Sequence, residues 1–274
     1  MTKRYDRPAR VLILGPVTID SAEATETRLS VQLRKVMALL AENREVPLTA
    51  RYIVDRVWDD DAPDSAVQMV RNHVRMIRRL AGGQGEAVES IRGGYRLCLE
   101  TDADRFRSRA LQSRLLHEAG RLRESLAAVT EALALWRGSE AMTGVRDVLD
   151  LEIAAHRLEE ARFRAEELAA QCHLRLGHPQ EALPILHSMT IRYPSRELPW
   201  LQLMAAQASI GRRVEASNET FPQARYHLVE QTGLDMPLLN RFHQELLRGA
   251  EAAALLSLTG FPRVPWNAGA RGDM

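Results

Sequence analysis

Lysine is almost missing from this chain: Lys3 and Lys35 stand against 35 arginines. A Walker A phosphate loop needs Gly-xxxx-Gly-Lys, and neither lysine sits in such a setting, which excludes a nucleotide-binding loop of that type. The bias itself points to a GC-rich coding sequence rather than to chemistry. Cysteine is equally scarce. Cys98 and Cys172 are the only two and share no metal-like spacing with histidine, so no zinc site is expected and reduced thiols in a cytoplasm fit better than a disulfide framework. No apolar run approaches the ~20 residues of a membrane span, so no membrane association is expected. Met1 to Arg10 is polar and leads straight into a strand-like segment, so no signal peptide is expected. No nucleophile elbow and no convergent carboxylate pair occur. Catalysis, a cofactor and a bound metal are therefore not expected.

What is present is ordinary in amount and uneven in placement. The 274 residues suffice for two domains, and 45% hydrophobic with 27% charged residues suits a globular protein. The net charge of +1 conceals a basic segment: residues 65–99 carry Arg71, Arg75, Arg78, Arg79, Arg92 and Arg96 against Glu86 and Glu89, while the remainder is balanced or slightly acidic. A local basic patch on a neutral protein suits DNA contact, because only the binding face has to meet phosphates.

In the N-terminal third, residues 10–19 read as two short strands broken by Gly15-Pro16. Val31 to Ala41 carries a helical stripe at 33, 36, 37, 39 and 40. Thr49 caps a second helix with Ile53, Val54, Val57 and Trp58 on its core side. Asp59-Asp60-Asp61-Ala62-Pro63 stops that helix, and Asp64 or Ser65 caps a third that runs to about Ala81 before Gly82-Gly83. On the third helix Ala66, Val70, Val74, Ile77 and Leu80 form the apolar stripe. Gln68, Arg71, Asn72, Arg75 and Arg79 occupy another face, with Arg78 beside it and His73 at the boundary. Arg, Asn and Gln carry the forked donors and acceptors that match guanine and adenine edges in the major groove. Taken alone, this arginine face is equally well a solvated one. The strands at Ala87 to Ile91 and Tyr95 to Leu99, around Arg92-Gly93-Gly94, shift the balance. Strands, three helices and a glycine-tipped hairpin make a winged helix-turn-helix, in which Arg92 and Arg96 can reach a phosphate or the minor groove.

From Asp102 onward helical signals dominate. Gly120 to Glu124-Ser125, Gly177 to Glu181-Ala182 and Gly211 to Glu215-Ala216 share one form, and the last two glycines are 34 residues apart, the tetratricopeptide period. The first gap is 57 residues, so a connector or extra helix around Val145 to Glu160 is expected. Leu126 to Trp136 and Leu183 to Ile191 are expected to supply buried second-helix faces, and Arg157, Arg162 and Arg164 a solvated face. Repeats of this kind bind protein, peptide or small ligands along a concave face. The domains expected are a winged helix over 1–100, a helical-repeat domain over 101–258 and a flexible tail over 259–274, where Phe261 and Trp266 stand among prolines and glycines.

The ordered combination of Leu14-Gly15-Pro16, Val57-Trp58, Ala62 to Ala66, Val74 to Leu80 and Gly94-Tyr95-Arg96-Leu97 resembles the Streptomyces antibiotic regulatory protein family. The later segments Ala132 to Gly138, Arg157 to Glu160 and Gly233-Leu234-Asp235-Met236-Pro237 are similar to that family's bacterial transcriptional activation domain. The resemblance spans about residues 10–248. It implies a mainly α protein, with an OmpR-type winged helix-turn-helix (α+β) followed by a tetratricopeptide-like all-α domain. It implies an activator that binds direct repeats in double-stranded promoter DNA near the −35 region, two protomers side by side. It also implies recruitment of RNA polymerase holoenzyme, through its sigma and alpha subunits, to antibiotic-biosynthesis genes. Carried over by position, Gln68, Arg71, Asn72, Arg75, Arg78 and Arg79 form the recognition helix, and Arg92 with Gly93 the wing. Asp59, Asp60 and Asp61 are placed where a polymerase subunit could reach them, the alternative being a helix-ending loop that is merely solvated. Two departures stand out: Met76 where the family often has arginine, and Pro222 inside the last repeat's second helix, which predicts a kink or shortening there. A ligand-responsive repressor of the same build, or a tetratricopeptide adaptor, is the alternative. Salt-sensitive retention on DNA would separate the adaptor from both regulators.

Overall fold

The computed structural model describes residues 8–21, 29–58, 61–82 and 87–258. Asp59, Asp60, Gly83, Glu86 and the tail over 259–274 lie outside the described residues. The chain divides into two compact units, one of Met1–Arg109 with Glu131–Arg162 and one of Ala110–Thr130 with Phe163–Met274.

The first unit opens with β1 (Arg10–Leu12) and β2 (Thr18–Asp20), paired antiparallel across a turn at Gly15-Pro16, where Gly15 takes a φ of 138°. Helix α1 (Val31–Glu42) begins at Ser30, whose side chain accepts from the Leu33 amide, and buries Leu33, Val36, Met37, Leu39 and Leu40. After β3 (Leu48–Thr49), the Thr49 hydroxyl accepts from the Tyr52 amide and starts α2 (Ala50–Val57). Helix α3 (Ala66–Leu80) buries Ala66, Val70, Val74, Ile77 and Leu80, the spacing that puts one stripe on the core. Strands β4 (Val88–Ile91) and β5 (Gly94–Leu97) form the hairpin, with β3 as the third strand on the far side of β5. The hairpin turn is Arg92-Gly93 alone, since Gly94 already pairs with Ile91. Arg92 at φ 48° and Gly93 at φ 78° give the two left-handed positions of a type I′ turn. Gly94 serves otherwise: a Cβ there would sit 3.0 Å from the Leu48 carbonyl oxygen of β3.

Strand β6 (Glu100–Thr101) pairs parallel with β1 and leads into α4 (Asp102–Glu118). The buried Asp102 carboxylate accepts from the amides of Ile13 (2.7 Å) and Leu14 (3.1 Å), and burial raises its pKa despite those bonds and the nearby Arg137. The residues between α5 (Leu122–Leu133) and α6 (Leu149–Arg175) close this unit. The Arg137 amide donates to Leu14, Met142 to Ile13 and Thr143 to Gly15, so the segment lies along the N-terminal strand. Asp147 pairs with Lys35 on α1 (2.5 Å), and Asp150 takes both the Tyr52 hydroxyl and Arg56 of α2, each at 2.9 Å. The connector or extra helix expected around Val145 to Glu160 is a loop followed by the first turns of a 27-residue helix.

The second unit is helical throughout its described residues. The shared Gly-xxx-Glu segments prove to be one structural device. Gly120, Gly177 and Gly211 take φ of 74°, 80° and 84°, each just past a helix end. The following amide reaches five residues back, from Arg121 to Leu116, His178 to His173 and Arg212 to Gln207. That is the Schellman closure, which satisfies carbonyls left open at a helix C-terminus. Gly249 at φ 79° repeats it, with the Ala250 amide on the Glu245 carbonyl. The small residue after each glutamate, Ser125, Ala182 or Ala216, is fully buried. Ser113 and Ser125 each donate to the other's carbonyl at 2.8 Å, clasping α4 to α5.

Helices α7 (Pro179–Arg192) and α8 (Glu197–Ser209) follow, then a helical stretch over 213–230, Pro237–Leu247 and Ala252–Leu258. Trp200, Leu201, Met204, Leu228, Phe242, Leu246 and Leu255 make the core. Several expectations need correction. Helix α5 stops at Leu133, so Leu135 and Trp136 lie beyond it, and Ile191 at the end of α7 is exposed. Trp58 is half-buried rather than core, stacked on His73 at 6.5 Å between ring centroids. Arg162 is not merely solvated: it donates to the carbonyls of Gly138 and Ser139 and lies over the Trp136 ring. The helical stretch runs on through Pro222, but not as a regular α-helix: the α segment that holds it, Phe221–Arg225, is only five residues long and lies between two π segments. A π turn, Ala216–Thr220, closes with the Phe221 amide on the Ala216 carbonyl immediately before Pro222. The wider turn accommodates a ring that would clash with the carbonyl four residues back.

Candidate nucleic-acid interface

The candidate face follows from how α3 divides. Its apolar stripe is committed to the core, which forces the intervening positions outward. Gln68, Arg71, Asn72, Arg75 and Arg79 are all exposed. Four of them form a chain of side-chain hydrogen bonds. Arg71 donates to the Gln68 carbonyl oxygen (3.4 Å), Gln68 to the Asn72 carbonyl oxygen (3.2 Å) and Arg75 to the same Asn72 oxygen (3.1 Å). Such bonds at exposed positions are exchangeable with water or a ligand, yet they hold long side chains partly ordered, which lowers the entropy lost on binding. Arg79 lies against the Met76 sulfur at 2.9 Å, and Met76 itself is half-buried.

The remaining arginines separate. Arg92 is exposed at the hairpin tip beside Gly93. Arg96 pairs at 2.7 Å with Glu89, its register partner across the hairpin, and that bond holds its guanidinium charged. Arg78 is half-buried and turned onto β4, its Nε and Nη2 donating to the Val88 carbonyl. The predicted set therefore separates: Gln68, Arg71, Asn72, Arg75 and Arg79 share an open face of α3, Arg92 stands exposed at the hairpin tip, and Arg78 and Arg96 are occupied by β4. Val88 and Ser90, which hold Arg78, carry no sign of that role in the sequence, where Glu89 stands out only as an acid within the basic segment. The hairpin register held the signal for Glu89, since strand alternation around a two-residue turn places it opposite Arg96.

Behind this face, His73 braces the helix-turn-helix against Trp58, and burial pushes its pKa down, favouring the neutral ring. Asp61, the described member of the acidic turn, is exposed, and its amide donates to the Trp58 carbonyl. Past it, Ala62, Pro63 and Asp64 share a surface cleft with Arg51, Val54 and Asp55 of α2. Cys98 is exposed and Cys172 buried, both as free thiols. Among the described residues no cluster of His, Cys, Asp and Glu could hold a metal ion, and no helix is long and apolar enough to cross a membrane.

Comparison with known proteins places these features in a family. A model of the bacterial transcriptional activator domain matches residues 101–247, and a model described as transcriptional regulatory protein, C terminal, matches 24–97. The regulatory protein DnrI of Streptomyces peucetius is 29% identical over 238 residues, covering 82% of this chain and 87% of that protein. The transcriptional regulator RedD of Streptomyces coelicolor is 29% identical over 246 residues, covering 86% of this chain and 69% of its own length. The transcriptional regulatory protein EmbR of Mycobacterium tuberculosis is 26% identical over 246 residues, and the chain spans only 62% of its length. A solved structure of that EmbR in complex with a low-affinity phosphopeptide superposes with a TM-score of 0.80 at 24% identity, covering 92% of this chain and 68% of that one. At that identity the likeness is one of fold.

Proposed function

Since the chain belongs to the Streptomyces antibiotic regulatory protein family of transcriptional activators, which are regulators and not enzymes, we propose that its winged helix binds promoter DNA and its helical domain helps recruit RNA polymerase. The observation that carries this reading is the open polar face of α3, where Gln68, Arg71, Asn72 and Arg75 are linked to one another and exposed while the opposite stripe is buried. In the major groove, Arg71 and Arg75 have the fork for guanine and Asn72 and Gln68 the amide for adenine. Arg92 at the hairpin tip supplies a phosphate contact that fixes register without reading sequence.

One winged helix reads too few base pairs to find a promoter in a genome. Two protomers therefore sit head to tail on a direct repeat, with repeats about one helical turn, ~10–11 base pairs, apart. The acidic turn ending at Asp61 faces a basic surface of the polymerase, because acids beside DNA are repelled by phosphate. Antibiotic-biosynthesis genes are the targets to which the family's name points.

Footprinting on the promoters flanking its own gene, followed by transcription in vitro with purified polymerase, tests the whole reading. A repeated footprint with stimulated transcription is expected. A footprint with repressed transcription would favour a repressor, and the lack of any salt-sensitive retention on DNA would leave only an adaptor. Inserting half a helical turn between repeats should abolish cooperative occupancy.

A further inference from the structure

Arg78 lies seven residues beyond Arg71, on the line that also carries Arg75, so helical spacing offers it to the same side. The structure turns it elsewhere. Its Nε and Nη2 donate to a single acceptor, the Val88 carbonyl, at 2.8 and 2.7 Å, and Nη2 also donates to the Ser90 hydroxyl at 2.9 Å. Val88 and Ser90 are the register partners of Leu97 and Tyr95, and the Arg92-Gly93 tip follows within two residues of Ser90. A planar guanidinium that grips one carbonyl with two donors fixes angle as well as distance, which a lysine ammonium cannot do.

Resting on the DNA-binding reading above, we propose that Arg78 is a positioning residue: it sets the wing hairpin against the recognition helix, so that Arg92 meets a phosphate while Arg71 and Arg75 meet bases, and it does not itself touch DNA. The strand it grips is a suitable lever. Val88 is fully buried and cannot shift without disturbing the core, and the unbroken β4–β5 register carries its position to the tip. Arg96, held by Glu89 of the same strand, stiffens the hairpin rather than the joint.

The test is a cycle on the full chain with Arg78→Lys, Arg92→Ala and the double variant. Each is titrated against a duplex selected by the wild-type chain from a random-sequence pool and against an unselected duplex, over a range of salt. Arg78→Lys keeps the charge and loses the two-donor grip. It should weaken the selected duplex by about ten-fold, the size of a lost charge-assisted hydrogen bond. It should also lower the salt slope by about one, as Arg92→Ala does. In the double variant the slope should fall no further, because the wing contact is already gone. Ser90→Ala should act in the same direction and less strongly, and it replaces Arg78→Lys in the cycle if that variant does not fold. Binding by Arg78→Lys within about two-fold of wild type would overturn the proposal. So would losses that multiply in the double variant, since Arg78 would then act on binding independently of the wing. A wild-type chain that binds neither duplex in a salt-dependent way would sink the DNA reading and this proposal together, an outcome distinct from either of those.

Discussion

Helices α3 and α8 are of similar length, 15 and 13 residues, and are read very differently by their surroundings. On α3, five buried apolar residues recur at the 3,4 spacing, and Gln68, Arg71, Asn72, Arg75 and Arg79 between them are polar and exposed. On α8, every residue from Pro199 to Ala208 is buried, Gln202 and Gln207 included. A helix that must show one face to a ligand carries its orientation in its periodicity. A helix wrapped by neighbours on all sides carries none, and its sequence reports only that it is apolar. Function is legible where burial is one-sided.

The difference predicts where truncation will be felt. Trp200 on α8 is almost fully buried, stacks on His227 at 5.8 Å and donates its indole N–H to the Pro194 carbonyl. Trp200→Ala should cost about 3–5 kcal/mol of stability, since it removes a large side chain from a core that cannot collapse round the gap. Urea unfolding at constant denaturant slope would report it. A loss below about 1 kcal/mol would mean that the region repacks readily and that the contrast with α3 is overstated.

Arg75 on α3 should behave in the opposite way. Arg75→Ala should leave stability within about 0.5 kcal/mol, as for an exposed site, and cost about 1–3 kcal/mol on a cognate duplex, with little change on random DNA. Equal losses on both duplexes would demote it to a phosphate contact. Stability lost along with binding would instead show that the bond to Asn72 is part of the fold.

How far the sequence revealed the fold follows the same division. The hairpin strands, the α2 cap and the α3 stripe of the winged helix are local: Thr49 caps α2 and the stripe is visible to the residue, whereas Ser65 stands at the start of α3 without a side-chain capping bond. The glycine turns of the repeats were visible too, since a left-handed residue with an open surround leaves glycine as its signature. What stayed hidden depends on distant partners. Nothing near Arg78 in sequence shows that Val88 and Ser90 will claim its donors, and nothing near Tyr52 and Arg56 points to Asp150. Pro222 marked an irregular helix but not its form: the π turn just upstream that makes room for the ring has no compositional mark.

The repeat turns allow a smaller test. Gly177 has open space where a Cβ would stand, so Gly177→Ala meets only the backbone cost of φ near 80°, about 1–2 kcal/mol. The same change at Gly94 carries no left-handed cost but presses a Cβ on the Leu48 carbonyl in a paired strand, and that steric strain should cost more. Calorimetric melts of the two variants would rank them. A Gly177 variant as stable as wild type would show that the turn relaxes out of the left-handed region and that the Schellman bond is dispensable.

The smallest effect expected is one of pH, and its sign separates three histidines of the second unit from the half-buried Glu197. Arg175 donates to Nε2 of His117 at 3.0 Å, which requires that nitrogen to be unprotonated. Burial first, and then the Arg175 charge, pushes the His117 pKa down against a smaller pull from Glu118. Burial likewise lowers His173, with Glu181 opposing and His178 adding to the shift, and lowers His243 beside Phe221 and Ser217. Folded values below the unfolded value of about 6.5 mean that the unfolded chain binds more protons, so stability rises with pH through that window. The contribution is complete above about pH 6.5 and is lost as pH falls through the folded values. Glu197 has the opposite sign: burial raises its pKa, so its contribution is greatest when it is protonated and fades as pH rises through the folded value. Because the carboxylate titrates from a lower starting point, the acid-side loss between about pH 7 and pH 5.5 belongs chiefly to the histidines. His117→Gln keeps an acceptor for Arg175 and removes the titration. Urea melts of this variant should lose less stability over that interval than the wild type does. An unchanged pH slope would assign the loss to His173 or His243 and leave the Arg175 bond without a role in it.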